Sequence, residues 1–194
     1  MTGRHLQIVV CGAGPAFDVV HLVRAAQQRS WTAAVTATPS AMDFIDVPGI
    51  EELTGAAVRS SYRASPSGRR SLATTNALII APATYNSINK MARGLADNYA
   101  MTSVAELIGR QVPTVIVPFV NAALATRAPF RHAVAGLRDE GVRVLLGPDD
   151  QWEPHPPGSG NERQQAFPWT MAFEAASQLA HESRPAAPGN KRRP

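Results

Sequence analysis

The sequence predicts an α/β fold, a Rossmann-like doubly wound parallel sheet in a single domain. Short apolar runs of strand length recur along the chain, and segments with apolar residues at helical spacing separate them. Turn-forming glycine, proline and hydroxyl residues follow several of the runs. The hydrophobic fraction of 44% and the charged fraction of 18%, in 194 residues, allow a sizeable core. Apolar runs of this kind are typical of parallel strands covered on both faces.

The first two strands are predicted at residues 6–10 and 33–37. A glycine turn at 12–15 follows the first strand and leads into a helix with valines at helical spacing. After the second strand, Thr38 is the expected N-cap of a helix and Pro39 its first residue. The apolar face of that helix is expected to comprise Ala41, Phe44 and Ile45.

The clearest strand is predicted at 78–81, after a less regular region in which 56–62 could form a third strand. The turn 82–86 leads into a helix, and Ser103 with Glu106 forms a predicted capping box for the next helix. The first of these helices is expected to bury one stripe, made of Ile88, Met91, Ala92 and Leu95.

The last two strands are predicted at 114–117 and 142–146, with a helix between them that ends near Gly141. The buried face of that helix is expected to comprise Phe130, Val134 and Leu137.

The stretch 147–168 is rich in proline, glycine and polar residues, so we expect a surface loop, which could act as a lid. A final helix is predicted at 169–180. The domain should cover residues 1–182, and 183–194 should be a disordered basic tail. The aligned apolar residues of the last helix are Met171, Ala175 and Leu179.

Charge and composition exclude several function classes. Lys and Arg number 19 against 15 Asp and Glu, but the arginines are scattered and the densest run lies at 191–193, so we expect no nucleic-acid partner. No apolar run reaches the ~18 residues that a membrane span needs. The polar N-terminus and the single cysteine, Cys11, expected to be a buried structural thiol, predict a cytoplasmic protein. The five histidines have no metal-site spacing, and each is expected to be a surface residue.

The candidate ligand site lies at the carboxyl ends of the strands, where doubly wound sheets bind ligands. Four predicted strand ends lead through small or hydroxyl residues into a helix start, whose free N–H groups suit an anion. Each could equally be an ordinary capped turn. The first turn lacks the third glycine of a dinucleotide motif, because Phe17 stands there. The candidate cofactor-binding residues are Gly12, Ala13, Gly14, Thr38, Ser40, Pro82, Ala83, Thr84 and Asn86.

Two asparagines, Asn86 and Asn121, each follow a strand end. An amide at such a position can orient a carboxylate or the edge of a flavin ring through its donor and acceptor groups. Each could instead cap its helix. Spacing alone leaves both roles open.

Residues 81–90 read Ala-Pro-Ala-Thr-Tyr-Asn-Ser-Ile-Asn-Lys, and Gly94 and Ala-Asp-Asn at 96–98 follow. They resemble the pattern Pro-Ala-Ser-Ala-Asn-Thr, with a helix ending in Gly-x-Ala-Asp-Asn, of the flavoprotein family that contains the FMN-dependent cysteine decarboxylases. Residues 38–41 match the family's second turn, whereas Ala13 replaces the serine or threonine usual in the first turn. The resemblance covers roughly residues 6–147.

This resemblance implies FMN bound between the subunits of a homo-oligomer, a trimer or a dodecamer of trimers. It implies that the glycine turn, the second turn and the turn 82–86 contact the FMN phosphate and ribose. It also gives Asn121, within the family's Pro-x-Met-Asn-x-x-Met pattern, a substrate-orienting role. Here Val120 and Leu124 replace the methionines of that pattern, and Ala125 replaces the tryptophan that follows it.

The decarboxylases also carry a catalytic histidine about fourteen residues before the Pro-Ala motif, but this chain reads Gly-Arg-Arg at 68–70. Arg69 or Arg70 could hold a substrate carboxylate or phosphate instead, or both could be solvated loop residues.

Three hypotheses follow for the function. The first is an FMN enzyme that oxidatively decarboxylates a cysteine-containing small molecule or peptide, with Asn121 and Asn86 as catalytic residues. The second, which the missing histidine favours, is an FMN-binding protein without that activity, either similar to the flavin prenyltransferases or a regulatory partner subunit. The third is a module of the same fold that binds another phosphate ligand.

Overall fold

A computed structural model describes residues 3–62 and 74–183 of the chain. Within them, five parallel strands form one sheet in the order β2-β1-β3-β4-β5. The predicted α/β fold with a doubly wound parallel sheet is therefore confirmed. The strands are β1 (His5–Val10), β2 (Thr32–Ala37), β3 (Ala77–Ala83), β4 (Thr114–Pro118) and β5 (Arg143–Val144).

Helices cover both faces of the sheet. Side chains alternate along each strand, so Leu6, Ile8 and Val10 of β1 join one apolar cluster, while Val9 joins the cluster on the opposite face. Helices α1, α2 and α8 pack against the first cluster, and α3, α4 and α6 against the second. The α-helices are α1 (Val20–Gln28), α2 (Val47–Thr54), α3 (Tyr85–Ala92), α4 (Tyr99–Gly109), α5 (Ala122–Ala125), α6 (Ala128–Asp139), α7 (Gly160–Gln165) and α8 (Trp169–Glu182).

The strand order places a topological switch point between β1 and β3. The connection from β1 to β2 runs through α1 on one face, whereas the connection from β3 to β4 runs through α3 and α4 on the other. Connections that leave two neighbouring strands toward opposite faces open a crevice at the carboxyl ends of those strands. This crevice is where ligands bind in sheets of this kind.

The predicted third strand at 56–62 does not form within the described residues. One isolated bridge joins Thr36 to Arg59, and the neighbouring Val58 N–H donates to the carboxylate of Glu51 at 2.9 Å. The Glu51 side chain thus takes the hydrogen bond that a neighbouring strand would accept, so the pairing with β2 does not extend beyond this bridge.

The prediction that a helix begins directly after Thr38 is also wrong. Residues Pro39–Ala41 form a single 3₁₀ turn, and the side chain of Thr38 makes no capping bond. The α-helix begins only at Val47, where Asp46 accepts a hydrogen bond from Gly49 N–H at 3.2 Å. An aspartate directly before the helical run provides the stronger start signal.

The predicted capping box at Ser103 and Glu106 is wrong, because α4 begins at Tyr99, four residues before Ser103. Asn98 is its cap and accepts from Met101 N–H at 3.1 Å, while the Ser103 hydroxyl donates to the Tyr99 carbonyl inside the helix. Leu95 is likewise not part of the α3 stripe. It lies beyond the end of α3 and is 53% exposed, since Gly94 adopts a positive φ of 67° that ends the helix.

The segment 147–168 is more structured than the predicted surface loop. It contains a short 3₁₀ turn and α7, and it buries Trp152 and Phe167 in the first apolar cluster. The last helix forms as predicted, but Met171, Ala175 and Leu179 are only partly buried on it. Its fully packed face comprises Trp169, Ala172, Phe173 and Ala176.

The stretch that contains Arg69 and Arg70 lies outside the described residues, as does the predicted tail beyond Ser183. In the described part of the chain, no helix combines the length and apolar character that crossing a bilayer requires.

His5, at the start of β1, should make stability depend on pH. Its Nε2 is buried without a hydrogen-bond partner among the described residues, and burial lowers the pKa of the imidazole from its usual 6.5. As pH falls, the unfolded chain therefore takes up a proton at His5 before the folded chain does. The contribution of the neutral His5 to the free energy of unfolding is complete above about pH 6.5 and is lost as pH falls toward the folded pKa. Urea unfolding at about pH 8 and about pH 5.5 should show a larger loss of the free energy of unfolding at the lower pH in the wild-type chain than in His5→Gln. Equal losses would contradict the assignment.

Candidate functional site

The carboxyl ends of β1 to β4 meet along one edge of the sheet. Thr38 N–H donates to the Val10 carbonyl at 2.9 Å, which joins the turns after β2 and β1. Cys11 N–H donates to the Pro82 carbonyl at 3.1 Å, and Phe119 N–H donates to the Ala83 carbonyl at 2.8 Å. The four turns selected from the sequence therefore form one continuous surface at the switch point.

The first two turns are in close contact through Gly12. A Cβ atom at Gly12 would lie 2.6 Å from the Ser40 carbonyl oxygen and 3.1 Å from Ser40 Oγ. The hydroxyls of Ser40 and Thr38 lie 3.3 Å apart. Only glycine allows this approach, which holds two hydroxyl donors beside the backbone that follows β1.

Gly14 lies under the segment that follows β5. A Cβ atom at Gly14 would overlap the Gln164 side chain of α7 and would lie 3.7 Å from Cε1 of Phe119. Ala13, just before it, is extended and precedes the 3₁₀ helix Gly14–Asp18. Helix α7 thus borders the first turn, although it is more than 140 residues away in sequence.

The third turn begins later than predicted. Pro82 and Ala83 belong to β3 and are buried, and the peptide bond before Pro82 is cis. Thr84 caps α3, because its Oγ1 accepts from Ser87 N–H at 3.1 Å and lies 2.9 Å from Ser87 Oγ. Asn86 lies in the first turn of α3 and is exposed, so its amide can face a ligand at this edge.

The thiol of Cys11 lies beneath the third turn and is only 1% exposed. Burial raises the pKa of the Cys11 thiol, and hydrogen bonds from the Ser87 side chain and the Thr84 backbone partly offset that rise. A raised pKa keeps the group protonated near neutral pH, which agrees with the predicted structural role.

Hydrogen bonds hold residues 90–98, the end of the segment that resembles the family pattern. Lys90 donates to the Asp97 carboxylate at 2.5 Å, and this bond lowers the pKa of Asp97. Asn98 donates to the same carboxylate at 2.9 Å while it caps α4. These contacts fix α3 against α4 and so hold the third turn in place.

Asn121 caps α5 after β4. Its Oδ1 accepts from Leu124 N–H at 2.9 Å. The cap uses only the oxygen of the carboxamide, and the two Nδ2 hydrogens take no part in it. Capping and substrate orientation are therefore compatible in this residue.

Sequence reasoning missed one residue at this edge, His155. An isolated parallel bridge pairs it with Asn121: His155 N–H donates to the Val120 carbonyl at 3.3 Å, and Ala122 N–H donates to the His155 carbonyl at 2.8 Å. Its ring packs on Phe119 with the centroids 4.9 Å apart. The prolines at 154 and 156 were the available signal, because they favour the extended backbone that such pairing needs.

No group of three or more His, Cys, Asp or Glu side chains in the described ranges could hold a metal ion. The polar groups at the switch point are instead hydroxyls, amides and backbone N–H groups. A donor set of that kind suits a phosphate or another anion.

Comparison with known proteins bears on this site. The sequence model of the Flavoprotein family matches residues 1–158. Two curated relatives are the coenzyme A biosynthesis bifunctional proteins CoaBC of Haemophilus influenzae, 23% identical over 158 residues, and of Escherichia coli, 24% identical over 155 residues. The matches cover 79% and 77% of this chain but only 38% and 37% of the relatives, so the chain spans less than two fifths of their length.

Solved structures give the same fold. The FMN-dependent cysteine decarboxylase SpaF superposes with a TM-score of 0.66 at 28% identity, over 90% of this chain and 98% of that one. The cypemycin decarboxylase CypD superposes with a TM-score of 0.70 at 20% identity, over 95% and 97% of the two chains. The family model matches most of the chain, and the fold agrees with that match. This chain therefore belongs to the Flavoprotein family.

Proposed function

We propose that this chain binds FMN at the switch point between β1 and β3. The observation that carries the proposal is the contact of Gly12 with Ser40, which holds the Ser40 and Thr38 hydroxyls beside the glycine turn. Hydroxyl and N–H donors brought together by small residues are what a phosphate requires. The residues that would hold the cofactor are Gly12, Ala13, Gly14, Thr38, Ser40, Pro82, Ala83, Thr84 and Asn86.

The proposed reaction is oxidative decarboxylation of a cysteine-containing small molecule or peptide. Bound FMN supplies a two-electron oxidant for the carbon that carries the thiol. Asn121 would orient the substrate carboxylate through Nδ2, and Asn86 would contact the flavin or the substrate. Support comes from the FMN-dependent cysteine decarboxylase SpaF, which is 28% identical to this chain over nearly its whole length.

A second candidate is an FMN-binding protein without this activity, such as a flavin prenyltransferase-like enzyme or a partner subunit. The absence of histidine from the Gly-Arg-Arg stretch at 68–70 favours it. In either case we propose a cytoplasmic homo-oligomer, a trimer or a dodecamer of trimers. The exposed rings of Phe17 and Phe44, next to the first two turns, support a covering subunit.

The first test is the absorption spectrum of the purified protein. We expect flavin bands, or uptake of added FMN by colourless protein. A protein that stays colourless with added FMN would overturn the binding proposal. Light scattering of the same sample gives the subunit number, and a monomer would contradict the proposed assembly.

The second test separates the two candidates. The holoprotein is mixed with a peptide ending in cysteine and, separately, with phosphopantothenoylcysteine. Mass spectrometry should show loss of carbon dioxide and two hydrogens from one of them. An intact substrate and an unchanged flavin spectrum in both mixtures would favour the candidate without decarboxylase activity.

A further inference from the structure

His155 reaches the candidate site through backbone pairing, not through its position in sequence. Paired residues on adjacent parallel segments lie about 4.8 Å apart and project to the same side. The bridge between Asn121 and His155 therefore places the imidazole beside the carboxamide that would orient the substrate. Phe119 lies against both His155 and the first cofactor turn, so one aromatic ring separates the imidazole from Gly14.

The hydrogen bonding of the ring fixes which nitrogen can react. His155 Nδ1 lies 2.9 Å from the Pro156 carbonyl oxygen, which can only accept a hydrogen bond. Nδ1 therefore carries the hydrogen in the neutral ring, and Nε2 keeps its lone pair. A Cβ atom at Gly160 would lie 3.8 Å from Nε2, so the glycine at this position leaves that edge of the ring accessible.

The surroundings of His155 are polar and open to a substrate. The residue is half-buried and borders a cavity of about 460 Å³. The charged groups that face this cavity are Glu153, Glu162 of α7 and Arg163 of α7. The Arg163 guanidinium stacks on Trp152 at 3.9 Å and donates to the Glu153 carbonyl at 3.3 Å, so it is held by the protein.

We propose that His155 is the acid–base residue of the site, with Nε2 taking the proton of the substrate thiol. This inference rests on the proposed function and names a residue for one of its steps. The S–H bond breaks, the proton forms a new bond to Nε2, and the electron pair stays on sulfur. The products are a thiolate and an imidazolium, whose opposite charges stabilise each other in contact.

The other histidines do not meet these conditions. His5 lies at the opposite end of β1, and His21, His132 and His181 lie on α1, α6 and α8. The exposed His132 supplies a matched control, because its replacement changes an imidazole away from the site.

The direct test follows the His155 ring by NMR in the holoprotein, with its signal identified by its loss in His155→Gln. Adding a peptide ending in cysteine, or phosphopantothenoylcysteine, should raise the pH midpoint of that signal, because a thiolate beside the ring favours imidazolium. The S-methylated forms of the same molecules should not raise it. The His132 signal should stay unchanged in all four mixtures. The absence of a shift with both thiols, or an equal shift with the S-methylated forms, would overturn the proposal.

Kinetics provide the second readout. In the wild-type chain and in His132→Gln, the rate should rise with pH through one ionisation. His155→Gln should lose that ionisation and fall at least about a hundredfold, with the flavin spectrum retained. An unchanged pH profile in His155→Gln would overturn the role. If the wild-type chain releases no carbon dioxide at any pH, the proposed reaction fails, while the NMR shift still decides whether His155 takes the thiol proton.

Discussion

Replacing Gly12 with alanine should weaken FMN binding by about ten- to a hundredfold. The added methyl group would lie 2.6 Å from the Ser40 carbonyl oxygen and 3.0 Å from the carbonyl carbon. Both are backbone atoms, so the turns after β1 and β2 would have to separate. Overpacking of this kind costs about 1–3 kcal/mol, and the separation would also disturb the contact between Ser40 and Thr38.

The measurement is a fluorescence titration of FMN into apoprotein, with urea unfolding of the same samples. Gly136→Ala is the matched control, because a Cβ atom there has no neighbour within 4 Å and the residue lies inside α6. That substitution should raise stability by about 0.5–1 kcal/mol and leave FMN affinity unchanged. If Gly12→Ala binds FMN as tightly as the control, the close approach of the two turns does not form the cofactor site.

The strands could be predicted from the sequence because they are buried on both faces. Ile79 and Ile80 point to opposite clusters, so an unbroken apolar run was the correct signal for β3. Helix starts were less predictable. The serine and glutamate at 103 and 106 have the spacing of a capping box, yet Asn98 starts the helix earlier and leaves Ser103 bonded inside it. Local spacing does not show which of two possible caps the tertiary structure selects.

The site was predictable as far as it follows from the topology of the sheet. Parallel strands bring their carboxyl ends to one edge, so the sequence alone groups the turns at Gly12, Thr38 and Thr84. His155 could not be grouped with them. Its place depends on an irregular segment that is anchored by the buried Trp152, whose Nε1 donates to the Pro118 carbonyl at 2.7 Å. Neither helical nor strand periodicity encodes such a path.

Asn121→Asp should separate the two roles of Asn121. Aspartate caps helices about as well as asparagine, so α5 should keep its bond to Leu124 N–H, and stability should change by less than about 0.5 kcal/mol. The substitution removes the Nδ2 donors and places a negative charge where the substrate carboxylate would lie. A lost hydrogen bond to a charged group costs about 1.5–3 kcal/mol, and like-charge repulsion adds to it, so kcat/KM should fall at least about a hundredfold.

The comparison variant is Asn121→Ala, which loses both roles. It should lower the free energy of unfolding by about 1 kcal/mol through the missing cap, and it should also be inactive. The bridge to His155 is made by backbone atoms, so neither substitution removes it and both proteins should keep the His155 signal. If Asn121→Asp decarboxylates at the wild-type rate, Asn121 acts only as a helix cap and does not orient the substrate. An aspartate variant that is stable and FMN-loaded but inactive would identify the carboxamide donors as the part of Asn121 that the substrate uses.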